Sequence, residues 1–548
     1  MPDIVILNGK LITMAGPDAE ALAITGGRIE AVGTTADIRA MAGGARVIDA
    51  GGCTVLPGFI DSHVHLFTGS AELDYLNLQD VTGEDALTKA VRAYSAERPD
   101  DRMLFAACID YNVLGDQTPT RQDLDRVMPH RPFAAMAADH HTVFANTAAL
   151  EMAGLLHGAD MPEGTEVVMA ADGTAHGELR EFGAYGPVMA LTPLGGRDLE
   201  GLVTGRDPSP PATAAERAID KDVIAKGLKH CASHGITGLH LMDGNFYQGE
   251  LLSELEDDGR LLCRSEVPMH LKNIDPIERL QEASEMRRRF NSGMVWCNRV
   301  KMFMDGVISS YTAFMLEPYP GTDSCSEPLF PPDHFAEVCR RIDAEGMQIA
   351  VHAIGDAAVR ATLDGYEAAR KSNGTRDSRH RIEHIELLHA NDLARFKSLG
   401  VVASVQPLHS PAGGMFPPFK PDELVRAELI PLAFATKTIR DTGTPVCFST
   451  DWPVVPVDVM PSVKAAVHRF DLPPEWTDQT CTLRQTLESY TALNAWVEFS
   501  EHRKGKLVPG MLADVVVMDH DLDALAPVDL DKARAAITIM GGRITWEA

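Results

Sequence analysis

The sequence predicts an α/β protein: a (β/α)8 TIM barrel, a small β-sandwich formed by both termini, and an α+β subdomain inserted after barrel strand 1. Three observations carry that expectation. Eight short β-type runs alternate with helical stretches between residues 54 and 453. Similar Gly-Gly turn segments lie near both ends of the 548-residue chain. Residues 67–220 separate the first run from the second, far more chain than a βα crossover uses.

The termini come first. Residues 21–33 read ALAITGGRIEAVG and residues 536–547 read AITIMGGRITWE. Each alternates apolar and polar residues around a glycine pair, which accepts the positive φ of a tight hairpin. DIVIL (3–7), RVIDA (46–50) and ADVVVMD (513–519) add further β runs. Residues 1–56 and 496–548 are therefore expected to co-fold as the sandwich.

The barrel is assigned to residues 57–66 and 221–495. Its strands are TVLPGFIDSHVH (54–65), GITGLHLMD (235–243), CRSEVPMHL (263–271), NRVKMFMDG (298–306), MQIAVHAIG (347–355), RIEHIELL (381–388), VVASVQPL (401–408) and PVCFSTDWP (445–453). The helical stretch DAAVRATLDGYEAARK (356–371) follows the fifth. An open doubly wound sheet is the rival, but no GxGxxG fingerprint follows the first run. The insertion, 67–220, holds the strand-like RMLFAACID (102–110) and RPFAAMAADHHTVF (131–144) and the proline-rich linker RDPSPPATA (206–214).

Composition narrows the partners. Fifty Lys+Arg against 78 Asp+Glu give a net charge of −28, which disfavours nucleic acid and anionic membrane surfaces. The nine cysteines contain no CxxC pair, and residues 1–14 lack a basic signal-peptide region. No apolar run approaches the ~18 residues of a membrane helix. The expectation is a cytoplasmic protein acting on a small-molecule substrate, with neither nucleic acid nor membrane as partner and a homodimer as its assembly.

Chemistry concentrates in PGFIDSHVHLF (57–67). His63 and His65 are two apart, so a strand projects both from one face, a good seat for Zn²⁺ or a similar metal. Lys301, His352, His384 and Asp451 fall in or near the ends of the fourth, fifth, sixth and eighth runs. In a barrel, strand ends surround one cup, so all six side chains can converge. An ammonium is no ligand. Lys301 joins such a site only as a neutral amine or as an N6-carboxylated, anionic group, and otherwise pairs with an acid such as Asp305.

The motifs PGFIDSHVH, GITGLH, VKMFMDG, VHAIGDAAV, RIEHIE, STDWPV and GKLVPGMLADVVVMD (505–519) span essentially the whole chain. With them the chain resembles the amidohydrolase superfamily, in its YtcJ-like branch, amidohydrolase family 3. That resemblance implies a metal-dependent hydrolase of carbon–nitrogen bonds: an amide, N-formyl amine, carbamate or cyclic amide. His63, His65, His352 and His384 match the metal-ligating histidines, Lys301 matches a lysine that can bridge two metals when carboxylated, and Asp451 matches the aspartate that binds metal and shuttles the proton. One or two ions are implied, Zn²⁺ foremost, with Mn²⁺ as another option. The implied chemistry is attack by metal-activated hydroxide, with Asp451 passing the proton to the leaving amine.

The resemblance also gives His141, in ADHHTVFAN (138–146), as a catalytic donor to the oxyanion; His140 stands where the family has glycine. VKMFMDGVISSYTA (300–313) lacks the family's usual arginine-containing continuation. Formamide deformylation is the narrowest reading. A deaminase of the same superfamily and a catalytically inactive scaffold are the alternatives. Tyr111, Phe144 and Trp452 are expected to line the substrate pocket, with Phe416 beside them; ordinary packing is the competing expectation. Loop 409–421 (HSPAGGMFPPFKP) is a lid or a proline-stiffened surface loop. His234, His240, His389 and His409 are expected to be structural or surface residues. His176 and Glu178 match a family segment without an assigned role.

Overall fold

The computed structural model describes residues 1–115, 117–137, 140–161, 165–416 and 418–548. The chain has an α/β fold that divides into two compact units, Met1–His65 with Leu228–Ala548, and Leu66–Gly227.

In the first unit, both Gly-Gly segments form hairpins. Strands Ala21–Thr25 and Arg28–Gly33 pair antiparallel around Gly26 and Gly27, whose φ values of 56° and 77° only glycine adopts without strain. Ala535–Met540 and Arg543–Glu547 pair in the same way around Gly541 and Gly542. The first hairpin joins Ile4–Leu7 and Arg46–Asp49 in a four-stranded sheet. The second joins Val515–Met518, Thr54–Pro57 and Lys10–Leu11 in a five-stranded sheet. Ile6, Leu22 and Ile24 of one sheet share a core with Val55, Val515 and Ile539 of the other. Burial of this common apolar layer ties the two chain ends together.

The run 54–65 is two strands rather than one. Thr54–Pro57 pairs antiparallel with Val515–Met518, whereas Phe59–Val64 pairs parallel with Ile236–Leu241. Gly58 separates them, and a Cβ there would stand 2.3 Å from Thr237 Cγ2. The chain changes sheets where only glycine fits.

Two parallel sheets follow. One has the order Val295–Trp296, Arg264–Glu266, Ile236–Leu241, Phe59–Val64. The other runs Met269–His270, Arg299–Phe303, Gln348–Ala353, Arg381–His384, Val402–Val405, Val446–Phe448. The run 263–271 is interrupted at Pro268, which has no N–H to give to a ladder. Val64 bridges Trp452 in parallel, and Ser62 Oγ donates to the Phe448 carbonyl at 3.0 Å. The expected helix at 356–371 spans Asp356–Asn373 and packs beside Pro332–Ala344.

The second unit is built on a six-stranded sheet: Glu166–Met169, Ala175–Arg180, Thr142–Ala145, Phe133–Ala137, Leu104–Ile109 and Leu76–Asn77, in that order. The run 131–144 is an antiparallel pair, Phe133–Ala137 with Thr142–Ala145. Residues 138–139, which open the ADHHTVFAN motif, lie outside the described residues. Alternating side chains feed separate apolar clusters, Phe105, Met136 and Val143 in one, Leu104, Phe133 and Phe144 in the other. Residues 206–213 carry no helix or strand before the helix Ala214–Ser233. All nine cysteines are free thiols. No helix among the described residues is long and apolar enough to cross a membrane.

Candidate metal centre

The parallel strands end at one cluster. His63 projects from Phe59–Val64 and His65 follows that strand directly, with backbone bonds locking both to the eighth run: Asp451 N donates to His63 O at 2.8 Å and His65 N to Trp452 O at 2.8 Å. Asp61 braces the same junction by accepting from Thr450 N at 3.0 Å and Thr450 Oγ1 at 2.5 Å. Asp451 Oδ1 lies 3.2 Å from His63 Nε2 and 3.3 Å from His65 Nε2, without hydrogen-bond geometry to either. His384 Nδ1 is 3.8 Å from Asp451 Oδ2. Ligand atoms of His63, His384 and Asp451 all fall within 4.8 Å of one another, and all three residues are buried. His352 adjoins them, its ring centroid 4.5 Å from that of His384.

Neighbouring polar groups fix the imidazoles. His63 Nδ1 donates to Glu383 Oε2 at 2.9 Å, leaving Nε2 to face Asp451. Glu383 is itself held by Arg381, which also donates to Ser62 O at 2.6 Å and Ser404 Oγ at 2.7 Å. His384 Nδ1 lies 2.9 Å from Gln406 Oε1, and Gln406 in turn donates to Ser449 at 2.8 Å. Such outer contacts set the tautomer that a ligating imidazole presents. On a regular strand Glu383 and His384 would point to opposite faces. Both reach the cluster because His384 and Ile385 adopt φ of 75° and 52°, and Asp451 likewise sits at 65°. Non-glycine residues held in this region cost about 1–3 kcal/mol each and gather where function requires the geometry.

The electrostatics favour a cation. Burial pushes His63 down to about 4 and His352 to about 3, and lowers His384 as well, so all three are neutral at neutral pH. Burial also opposes charge on His65, but the carboxylates of Asp243 and Asp451 raise it to about 9. Burial acts against ionised Asp451 too, yet His63, His65 and His384 hold it well below the usual carboxylate range. Carboxylates that hold a proton on one imidazole offer the same field to a divalent ion.

Lys301 is fully buried, and its Nζ makes no hydrogen bond among the described residues. It stands 4.5 Å from the centre of the Phe303 ring, and burial lowers it to about 8. Asp305 is not its partner: that carboxylate accepts from the backbone of Phe314, Ile354 and Gly355 at 2.8–3.0 Å.

Two further residues join the cluster. Asp243, fully buried beyond the end of Ile236–Leu241, places Oδ1 3.6 Å from His65 Nδ1. His409, expected to be structural or superficial, is only 8% exposed and directs Nε2 to 3.7 Å from Asp451 Oδ2, with its ring parallel to His384. Asp243 was legible by the strand-end rule that singled out His63, His352 and His384. His409 was not, since it follows a proline-broken segment beyond Val402–Val405 rather than the strand itself.

His240 is enclosed between Arg381 and Glu498 at 3.1 and 2.8 Å. His234 lies 3.6 Å from Asp458, and the His389 side chain accepts from Asn391 N. Trp452 is 5% exposed, with its ring 5.6 Å from His230. Tyr111, His141, Phe144, His176 and Glu178 belong to the second unit. Phe144 is fully buried in its core with Tyr111 packed edge-on at 5.4 Å, and His141 Nδ1 pairs with Glu181 at 2.9 Å. His176 and Glu178 lie on Ala175–Arg180, where Glu178 accepts from Arg180 at 2.7 Å. Phe416 is exposed at the loop following His409, and Phe419 in that loop stacks on Phe434 with the Trp476 ring tilted against it at 5.9 Å. Residue 417 of that loop lies outside the described residues.

The sequence profile of the amidohydrolase family matches residues 46–546. The chain belongs to the amidohydrolase family. Among relatives of this amidohydrolase, the putative amidohydrolase YtcJ of Bacillus subtilis is 26% identical and the match covers 98% of each chain. An N-substituted formamide deformylase of Arthrobacter pascens is 24% identical, covering 100% of this chain and 99% of its own. A metal-dependent hydrolase from Pyrococcus furiosus, uncharacterised but solved by crystallography, superposes with a TM-score of 0.70 at 26% identity, over 96% of this chain and 99% of that one.

Proposed function

We propose that this amidohydrolase is a divalent-metal hydrolase that cleaves a carbon–nitrogen bond, with N-formyl amines as its narrowest substrate class. The observation that carries the reading is the meeting of His63, His65, His384 and Asp451 in one buried cluster adjoined by His352, with the unpaired amine of Lys301 buried on a neighbouring strand. A closed (β/α)8 barrel accounts for it. Arg264–Glu266 with Met269–His270, and Val295–Trp296 with Arg299–Phe303, then count as two interrupted strands, and the Val64–Trp452 bridge joins the first strand to the eighth. The similarity to a formamide deformylase supports the substrate class.

The donor set fits zinc: three neutral imidazoles, a fourth on His65 that would give up its proton to the metal, and one carboxylate, at the ends of rigid strands. His63, His65, His352, His384 and Asp451 would hold the metal. Lys301, carboxylated on its lowered amine, would add an anionic oxygen ligand and allow a second ion. When bound, the metal lowers the pKa of a water toward ~7 and polarises the scissile carbonyl. The chain's own residues do the rest. Glu383 and Gln406 keep His63 and His384 in the tautomers that present Nε2. Asp451, held ionised by its imidazoles, accepts the proton of the attacking water and delivers it to the leaving amine.

The test is metal analysis of the purified protein together with turnover of N-substituted formamides. Stoichiometric metal and equimolar formate and amine are expected, with activity lost on chelation and restored by Zn²⁺ or Mn²⁺. Absence of stoichiometric metal, with no activity after metal addition, would remove the hydrolase reading. Release of ammonia without a carboxylic product would replace it with deamination.

A further inference from the structure

Away from the metal cluster, at the opposite edge of the parallel strands, lies a second polar cavity of about 350 Å³. Its walls include Arg264, the first residue of Arg264–Glu266, and Asn298, which directly precedes Arg299–Phe303. The candidate metal ligands instead occupy the C-terminal ends of their strands. The cavity is therefore separate from the chemistry.

Its charge is lopsided. Arg264, Arg287, Arg503 and Lys504 line it, against the single carboxylate of Glu498. Two of these cations are already neutralised. Arg264 Nε donates to Asp514 at 2.8 Å, and Lys504 Nζ pairs with Glu498 at 2.8 Å. Arg287 and Arg503 have no carboxylate partner among the described residues; Arg287 donates to the Glu345 backbone carbonyl at 3.0 Å. A Cβ at Gly293 would meet Arg503 Nη2 at 3.2 Å, which puts that guanidinium against the cavity-lining Gly293 backbone.

The floor is built rather than incidental. Lys504 is 3% exposed and Glu498 is fully buried in its side chain. Glu498 is shared with His240, whose Nε2 donates to it at 2.8 Å while His240 Nδ1 accepts from Arg381 at 3.1 Å. Lys504 Nζ reaches this point because residue 238 is glycine; a Cβ there would stand 3.0 Å away. The Lys504 charge is thus anchored, and the charges left over at the mouth are both guanidinium groups, whose planar forks suit oxyanions. In a chain of net charge −28, anions are repelled at long range, so capture requires such a local concentration of cations.

We propose that this cavity is a binding site for a small oxyanion dianion, a phosphate group, gripped by Arg287 and Arg503 over the Lys504–Glu498 floor. The proposal stands independently of the hydrolase reading. Two unpaired cations favour a dianion over a monocarboxylate.

Calorimetric titration of the full chain with inorganic phosphate tests it, with acetate as the second arm. Saturable one-to-one phosphate binding is expected, with acetate about tenfold weaker, a difference of one decade per 1.4 kcal/mol. Arg503→Ala and Arg287→Ala should each weaken phosphate about tenfold, and the double variant should abolish binding while keeping the parent's unfolding temperature and metal content. Either of two results overturns the assignment of phosphate to this cavity. One is no saturable binding below 10 mM. The other is phosphate affinity unchanged in the double variant, which would assign the phosphate to the metal cluster. Equal affinity for acetate would overturn the dianion assignment.

Discussion

Replacing Lys301 by methionine should stabilise the metal-free protein and, at the same time, deprive it of the second metal ion. Methionine keeps the length and apolar stem of the side chain and removes the amine, so no cavity is opened. The magnitude follows from the buried amine, which makes no hydrogen bond among the described residues and is lowered from 10.5 to about 8, chiefly by burial. At 1.36 kcal/mol per pKa unit, holding the ammonium in place costs about 3 kcal/mol. The sign can be worked from proton binding. Below pH 8 folded and unfolded chains both bind the proton, and the full cost applies. Between 8 and 10.5 the unfolded chain binds more protons, so stability of the parent rises with pH. Above 10.5 the cost is gone. Denaturant unfolding of chelator-treated protein in CO₂-free buffer should therefore show Lys301→Met more stable than the parent by about 3 kcal/mol at pH 7, with the two curves converging near pH 10.5. In the metal-loaded state the order should reverse, because the variant forfeits the stabilisation that ligand binding confers on the native form. A chelated variant no more stable than its parent at pH 7 would refute the unpaired-amine argument. Unchanged metal content would refute the ligand role.

Other perturbations separate the remaining parts. Asp451→Asn should abolish turnover while leaving much of the metal bound, and near-normal turnover would sink its proton-shuttle role. Glu383→Gln should weaken metal affinity about 10–100-fold by loosening His63, read by competition with a chromophoric chelator. His352 is lowered to about 3 from 6.5, so at that group the unfolded chain binds more protons below pH 6.5, whereas Asp61 and Asp305, raised to about 7 by burial, act in the opposite sense over the same window. The difference between chelated His352→Gln and its parent isolates the imidazole; the variant should gain stability relative to the parent as pH drops from 6.5 to 4, and a constant difference in thermal unfolding would contradict it. Gly58→Ala, with its Cβ driven against Thr237, should cost about 1–3 kcal/mol in thermal unfolding, and a neutral effect would mean the strand junction yields more easily than its packing indicates.

Much of the architecture was legible because it rests on local rules. The paired Gly-Gly hairpins follow from positive φ, and the β runs follow from alternation and spacing, which survive tertiary packing. His63 and His65 were legible for the same reason: a two-residue spacing on a strand has one geometric meaning. What local rules missed were departures from regularity. The strand at 54–65 breaks at Gly58 because of a contact with Thr237, about 180 residues away along the chain. Glu383 and His384 share the cluster only through a positive φ that no neighbour in RIEHIE announces. His409 reaches Asp451 from an irregular segment, and irregular segments carry no periodicity from which to read direction.

Composition likewise set limits without choosing a site. Twenty histidines are spread along the sequence, and strand-end position selected His63, His65, His352 and His384. By itself, the order of residues determined the family, the alternation of strands and helices, and the ligand types that could meet. Tertiary structure alone decided that Lys301 is buried away from Asp305, that Asp243 and His409 stand at the cluster, and that Arg287 and Arg503 face one cavity. The physical reason is distance. Side-chain chemistry is written in one dimension, but ligation, charge pairing and desolvation act over a few ångströms, and only folding determines which groups come that close.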